Sequence, residues 1–195
     1  PEWWASKGYM VIIQDVRGMG ASEGVFNGFK QEASDTSETH EWIRSLKECN
    51  GKLGLYGFSY QGFTQLTGEL NSTPPDCLSP AMTGINIKDH WCSDGGAYWW
   101  HNNIAWGLQI AALKMKRENN LLEWGKIRLA LENKSYLREG IDILKKYDPN
   151  SFVLVWLKNL NNAYPLEEFK PISSWIKKPM LIIGGLWDPH LKGAF

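Results

Sequence analysis

The stretch KLGLYGFSYQGF at residues 52–63 constrains the fold more than any other part of the chain. A short apolar run passes directly into Ser59, which stands between Gly57 and Gly62. Apolar residues then recur at helical spacing at Phe63, Leu66 and Leu70. The pattern predicts a strand, a sharp turn and a helix. Such a turn lifts a serine hydroxyl clear of the strand end, and flanking glycines let it close where a Cβ would collide. Glycines also punctuate ordinary strand-to-helix turns, so the local pattern leaves a plain connection open beside a nucleophile. The generic nucleophile motif has its second glycine two residues after the serine; here that position is Gln61 and the glycine is Gly62.

The surrounding elements fit the same picture. Residues 9–15 are an apolar run closed by Arg17, Gly18 and Gly20, and predict a buried strand. After a loop with Gly18, Gly20, Gly24 and Gly28, Ser34 and Asp35 offer N-caps for a helix bearing Thr39, Trp42, Ile43 and Leu46 and ending near Gly51. Residues 81–87 are a weaker strand candidate, and residues 179–185 a clear last strand. The intervening block, rich in Trp, Asn, Lys and Leu, has helical periodicity at 104–115, 121–131 and 136–147, while 152–157 suits either a strand or a buried helix. Strands alternating with helices predict an α/β fold: a mostly parallel sheet, right-handed crossovers and αβα layers. A helical block between two of its strands predicts a cap over their C-terminal ends, where open α/β sheets bind ligands. The expected organisation is a core at 1–88, a helical cap at 89–172 and a return to the core at 173–195. The chain starts without Met or a signal-peptide pattern and stops inside what reads as a helix, so it is expected to be an internal piece of a longer protein.

Composition narrows the function classes. Twenty-one Lys and Arg balance 21 Asp and Glu, so neither nucleic acid nor an anionic membrane is expected as a partner. No apolar run reaches the roughly 18 residues of a membrane span. Cys49, Cys77 and Cys92 are widely spaced and include no CxxC pair, which argues against a disulfide framework and favours a cytoplasmic location. His90, Cys92 and Asp94 alternate without the paired spacing of zinc sites, and the 18–28 loop lacks the Lys-Ser/Thr of a phosphate loop; no metal or cofactor is expected. Eleven tryptophans suggest aromatic pocket walls for a small, partly apolar substrate. Tyr98, Trp99 and Trp100 read equally as a substrate shelf or as cap packing. Asp15 and Arg17 read as a structural ion pair beside the glycine loop. Oligomeric state is not legible.

A second chemical residue joins Ser59. Asp188 follows the last strand through Gly184, Gly185, Leu186 and Trp187. An acid after a later strand, in the chain order Ser, Asp, His, is the arrangement of α/β-hydrolases; the bland alternative is a helix cap before Pro189. The histidine is harder to find. His40 lies on an early helix and is expected at the surface. His90 and His101 lie in the cap, and His190 is only two residues from Asp188, too near to bridge easily to a distant serine. Chain order places the base beyond Phe195, with His190 as the minor alternative.

Three stretches carry a resemblance: Gly8 to Gly24, with its Gln14-Asp15-Val16-Arg17-Gly18 and Ala21-Ser22-Glu23-Gly24; Cys49 to Gly62; and Gly184 to Asp188. They resemble the X-Pro dipeptidyl-peptidase / cocaine esterase family of α/β-hydrolases, whose own elbow reads G-x-S-Y-x-G and so accommodates Gln61 and Gly62. Trp91, four residues before Gly95-Gly96-Ala97, and Trp106 extend the likeness into the cap. The resemblance implies an α/β-hydrolase fold with an inserted helical cap. It implies Ser59 as nucleophile, Asp188 as the acid that orients a histidine, the Tyr60 N–H as oxyanion donor, and Trp91 and Trp106, with Tyr98, around the substrate. It implies a serine hydrolase acting on a small ester or peptide without cofactor. Within the family an acyl esterase is preferred, with X-Pro dipeptidyl-peptidase or amino-acid ester hydrolase as alternatives. From other classes, a catalytically incomplete fragment and an aromatic binding module stay open. Residues 1–195 alone are expected to turn over little or no ester.

Overall fold

The computed structural model describes residues 1–160 and 175–195. The chain divides into two compact units, Pro1–Asn86 with Phe169–Phe195, and Ile87–Glu168. Among the described residues no helix is long and apolar enough to cross a membrane.

The first unit contains, in chain order, α1 (Glu2–Ala5), α2 (Glu32–Ser45), β1 (Gly54–Phe58), α3 (Tyr60–Gln65) and β2 (Cys77–Ala81). β1 and β2 pair in parallel, with Gly54 opposite Cys77 and Phe58 opposite Ala81. Residues 180–183 run parallel along the other edge of β2, bridging at Leu78–Met180 and Ala81–Ile183. The bonds alternate as a parallel ladder requires: Leu78 N–H to the Pro179 carbonyl at 3.0 Å, Leu181 N–H to Leu78 at 2.9 Å and Ile183 N–H to Pro80 at 3.1 Å. The unit is thus mixed α/β with a small parallel sheet and β2 at its centre. Trp175 and Leu78 form a buried cluster with Leu55 and Met180 packed against it. Gln65, buried at the end of α3, ties helix to sheet: its Nε2 donates to the Gly57 carbonyl at 3.3 Å and its Oε1 accepts from Ser79 N–H at 3.1 Å.

Several expectations need correction. Residues 9–15 form no strand; Tyr9, Met10 and Ile13 are exposed. An apolar run reads as a buried strand, but its ladder needs a neighbour, and none of the described strands pairs with it. The strand after α3 is Cys77–Ala81 and not 81–87, because Met82 turns into the left-handed region at φ 48°. α2 ends at Ser45, short of Gly51. His40 is not a surface residue: it is 4% exposed, with its ring stacked on Trp175 at 5.6 Å. Arg17 pairs not with Asp15 but with Asp35, whose Oδ2 accepts from Nε at 2.9 Å, while Asp15 accepts from the Ala21 N–H of the glycine loop at 3.0 Å.

The second unit opens with a wide helical turn at Ile87–Cys92 and a hairpin of β3 (Ser93–Asp94) and β4 (Ala97–Tyr98). α4 (Trp100–Arg117), α5 (Leu121–Glu132), α6 (Tyr136–Tyr147) and α7 (Phe152–Leu160) follow, so the ambiguous 152–157 run is helical. α4 buries Ile104, Leu108, Ala111 and Met115, one face at helical period. α6 approaches that face at Gly140, where a Cβ would stand 2.4 Å from Ile104 Cγ2.

Candidate active site

Ser59 sits where β1 passes into α3, with φ 57° and ψ −126°. A non-glycine residue there carries strain of about 1–3 kcal/mol, which the surroundings must hold in place. Its N–H donates to the Ala81 carbonyl at 2.9 Å, and its own carbonyl accepts from Gly62 N–H at 2.8 Å and Phe63 N–H at 3.0 Å. Packing explains both glycines. A Cβ on Gly57 would lie 2.7 Å from Gln61 Cβ, and one on Gly62 would lie 2.8 Å from Thr83 Cβ and 3.0 Å from the Ala81 carbonyl oxygen. The displaced second glycine therefore lets α3 pack onto the chain leaving β2, while Gln61 covers Gly57.

Tyr60 follows, anchored by its hydroxyl. That oxygen donates to Glu32 Oε1 at 2.8 Å and accepts the Phe29 N–H at 2.7 Å. The ring lies against Phe29 at 4.9 Å, Phe26 at 5.7 Å and Phe63 at 5.8 Å. Burial, and then the adjacent Glu32, hold the Tyr60 hydroxyl well above the usual tyrosine range. Burial likewise pushes the Glu32 carboxyl upward, opposed by the hydrogen bond from Tyr60.

Asp188 lies beyond residues 180–183, past a turn closed by its N–H to the Gly185 carbonyl at 2.9 Å. Its Oδ1 accepts the His190 backbone N–H at 2.7 Å. Its Oδ2 is buried and has no hydrogen-bond partner among the described residues. The short helical turn Leu191–Ala194 follows, and Gly193 presses on the loop after β2, where a Cβ would meet the Thr83 carbonyl oxygen at 2.2 Å. Thr83 thus contacts both flanking segments, that of Ser59 through Gly62 and that of Asp188 through Gly193. Both residues follow the C-terminal ends of parallel segments of one sheet. Two strand spacings, about 10 Å in all, separate those segments.

Trp91, Tyr98 and Trp106 belong to the second unit. Trp91 is buried, with its ring 5.9 Å from Trp106. Trp106 also meets Phe152 edge-on at 4.7 Å. The Tyr98 hydroxyl donates to the Val153 carbonyl at 3.2 Å, and burial pushes it far above its ordinary range. Of the histidines, His101 Nδ1 lies 2.5 Å from the Tyr136 hydroxyl within this unit. Glu32, Phe29 and Thr83 escaped sequence reading. Glu32 looks like a solvated first-turn acid, and nothing local points to a partner at residue 60.

A small parallel sheet with a strained serine after β1 and a half-buried Asp188 after residues 180–183 is compatible with an α/β-hydrolase-like protein. The chain belongs to the X-Pro dipeptidyl-peptidase (S15) family, which it matches over residues 1–195. Among its relatives, cocaine esterase from Rhodococcus sp. (strain MB1 Bresler) is 32% identical over 105 residues, covering 53% of this chain and 18% of that protein. A Mycobacterium bovis protein named "Putative serine esterase" is 27% identical over 124 residues, covering 62% of this chain and 20% of its own length. The chain thus spans about a fifth of the length of these curated relatives.

Proposed function

We propose that this chain carries the nucleophile and the acid of a serine hydrolase of the α/β-hydrolase fold, cleaving a carboxylic ester through an acyl-serine intermediate. The observation that carries this is the strained turn at Ser59 with its G-x-S-Y-x-G pattern, at the same C-terminal end of the parallel segments as a carboxylate whose Oδ2 has no partner among the described residues. An imidazole bonded at both nitrogens spans about 8 Å between a hydroxyl and a carboxylate, which suits the two-strand separation. The order Ser, Asp, His puts the base after Asp188, where His190 is the one histidine within residues 1–195, and the base is proposed to be a histidine outside these residues. His40 is stacked in the core, and His190 stands two residues from Asp188 with its backbone N–H bound to that carboxylate.

In this scheme Ser59 Oγ attacks the acyl carbon and its proton passes to the histidine, whose other N–H is held by Asp188 Oδ2. The Tyr60 N–H donates to the carbonyl oxygen as it gains charge. The alcohol leaves with the proton, and water then hydrolyses the acyl-enzyme. Trp91, Trp106 and Tyr98 are proposed as apolar substrate contacts.

The esterase-named relatives favour esters, while the family's own description favours release of X-Pro dipeptides. Assays of the complete protein with a p-nitrophenyl acyl ester and an X-Pro anilide separate the two. Higher kcat/KM for the ester supports this reading, and the reverse replaces it with a peptidase. In both assays Ser59→Ala is expected to cut turnover by at least about a thousandfold. Unchanged turnover would exclude Ser59 as nucleophile.

A further inference from the structure

Bonded to the side chain of Tyr60, the residue after Ser59, is a buried acid that the proposed mechanism does not use. Glu32 is 2% exposed in the first turn of α2, yet its carboxylate reaches the hydroxyl of Tyr60, on a different helix. A buried carboxylate costs free energy unless it is hydrogen-bonded, and an apolar residue of similar size would pack there without that cost. The contact belongs to a chain of bonds. Phe29 N–H donates to the Tyr60 oxygen, which donates to Glu32, and Gln31 Nε2 also reaches Glu32 Oε1 at 3.3 Å. Phe29 itself has φ 60°, so the loop before α2 is held in a strained conformation at the point where it donates to Tyr60. Phe29 is buried and packs edge-on against Phe63 of α3 at 4.7 Å. Two strained backbone positions, Phe29 and Ser59, are therefore joined through one side chain, that of Tyr60.

Resting on the serine-hydrolase reading above, we infer that Glu32 and the Tyr60 hydroxyl form a clamp that positions the Tyr60 backbone N–H toward the developing oxyanion. Both are positioning residues; neither touches substrate. An oxyanion donor acts through its placement, and a displacement of a few tenths of an ångström weakens it for the transition state more than for the bound ester. Loss of the clamp should therefore appear in kcat and in the affinity of transition-state analogues, while KM changes little.

The test compares the complete wild-type protein with Glu32→Leu, Tyr60→Phe and the double variant Glu32→Leu/Tyr60→Phe. Each is assayed on a p-nitrophenyl acyl ester and for inhibition by phenylboronic acid, whose tetrahedral adduct with serine puts an oxygen where the oxyanion forms. Either single variant is expected to lower kcat about 10- to 100-fold and weaken boronate inhibition in proportion, with KM changed less than about threefold. The double variant shares with Tyr60→Phe the loss of the acceptor for Phe29 N–H but no longer buries a carboxylate without its donor, so it should regain thermal stability over Tyr60→Phe while kcat stays low. A merely structural role predicts that kcat recovers with stability. Arg44→Ala, which removes bonds to the Thr73 and Pro74 carbonyls in the same unit, serves as a destabilised control and should keep its kcat. Ser59→Ala is run in parallel. If it keeps turnover, the hydrolase reading falls first. If it abolishes turnover while the single clamp variants retain wild-type kcat and boronate affinity, the clamp alone is wrong.

Discussion

Acidification should unfold this protein partly through one histidine. His40 lies on α2, is 4% exposed, and stacks on Trp175 with an interplanar angle of 27°. Its Nδ1 is buried without a hydrogen-bond partner among the described residues. Burial, reinforced by the charge of Arg44 one turn along the helix, lowers its pKa from 6.5 to about 4. The unfolded chain therefore binds this proton more readily than the folded one. The stability that depends on neutral His40 is complete above pH 6.5 and is lost as pH falls toward 4. The slope is about 1.4 kcal/mol per pH unit, or about 3 kcal/mol across the window. That is a large share of a typical folding free energy of about 5–15 kcal/mol. Urea unfolding of the wild type and His40→Gln at several pH values isolates the effect, because every other titrating group, Glu32 included, is common to both. The wild type should lose about 3 kcal/mol more than the variant between pH 7.5 and 4. Parallel pH profiles, or an NMR titration of His40 with its midpoint near 6.5, would refute the assignment of a neutral buried ring.

Other consequences concern packing and reactivity. Gly62→Ala puts a methyl group 2.8 Å from Thr83 Cβ and 3.0 Å from a backbone carbonyl, so it should destabilise by about 1–3 kcal/mol in denaturant unfolding. A substitution that leaves stability unchanged would show that α3 is not packed on the chain leaving β2. Burial pushes the Cys92 thiol up to about 12, whereas Cys77 is exposed. Ellman's reagent should thus modify Cys77 rapidly in the native protein and Cys92 only on unfolding. Rapid modification of Cys92 at neutral pH would contradict its burial.

What the sequence reveals about this molecule is what is encoded locally. The strand–serine–helix turn is legible because Gly57, Ser59 and Gly62 are close in sequence and the apolar period changes across them. Helices α4 and α6 are legible because one face of each is apolar at helical period, whereas α5 carries its apolar residues all round, with Leu122 and Leu129 exposed. The misreadings share a different cause, which is dependence on a distant partner. Residues 9–15 are apolar enough for a strand, but strand formation depends on a neighbour. β2 contains Pro80 and is defined by its pairing with β1 and with residues 180–183. His40 is buried because Trp175, far along the chain, covers it. Glu32 looks like an ordinary first-turn acid, and its partner at residue 60 is apparent only once α2 and α3 are packed. Chain order singles out Asp188 as a candidate, whereas the absence of a hydrogen-bond partner for its Oδ2 among the described residues is apparent only in the folded turn.

The central proposition is that Ser59 is a nucleophile, and covalent labelling addresses it most directly. The complete protein is treated with a fluorophosphonate, digested, and the modified residue located by mass spectrometry. A single phosphonyl adduct on the Ser59 peptide, absent after heat denaturation and absent in Asp188→Ala because the imidazole is no longer oriented, is the predicted result. Stoichiometric labelling at another serine, with Ser59 unmodified, would contradict it.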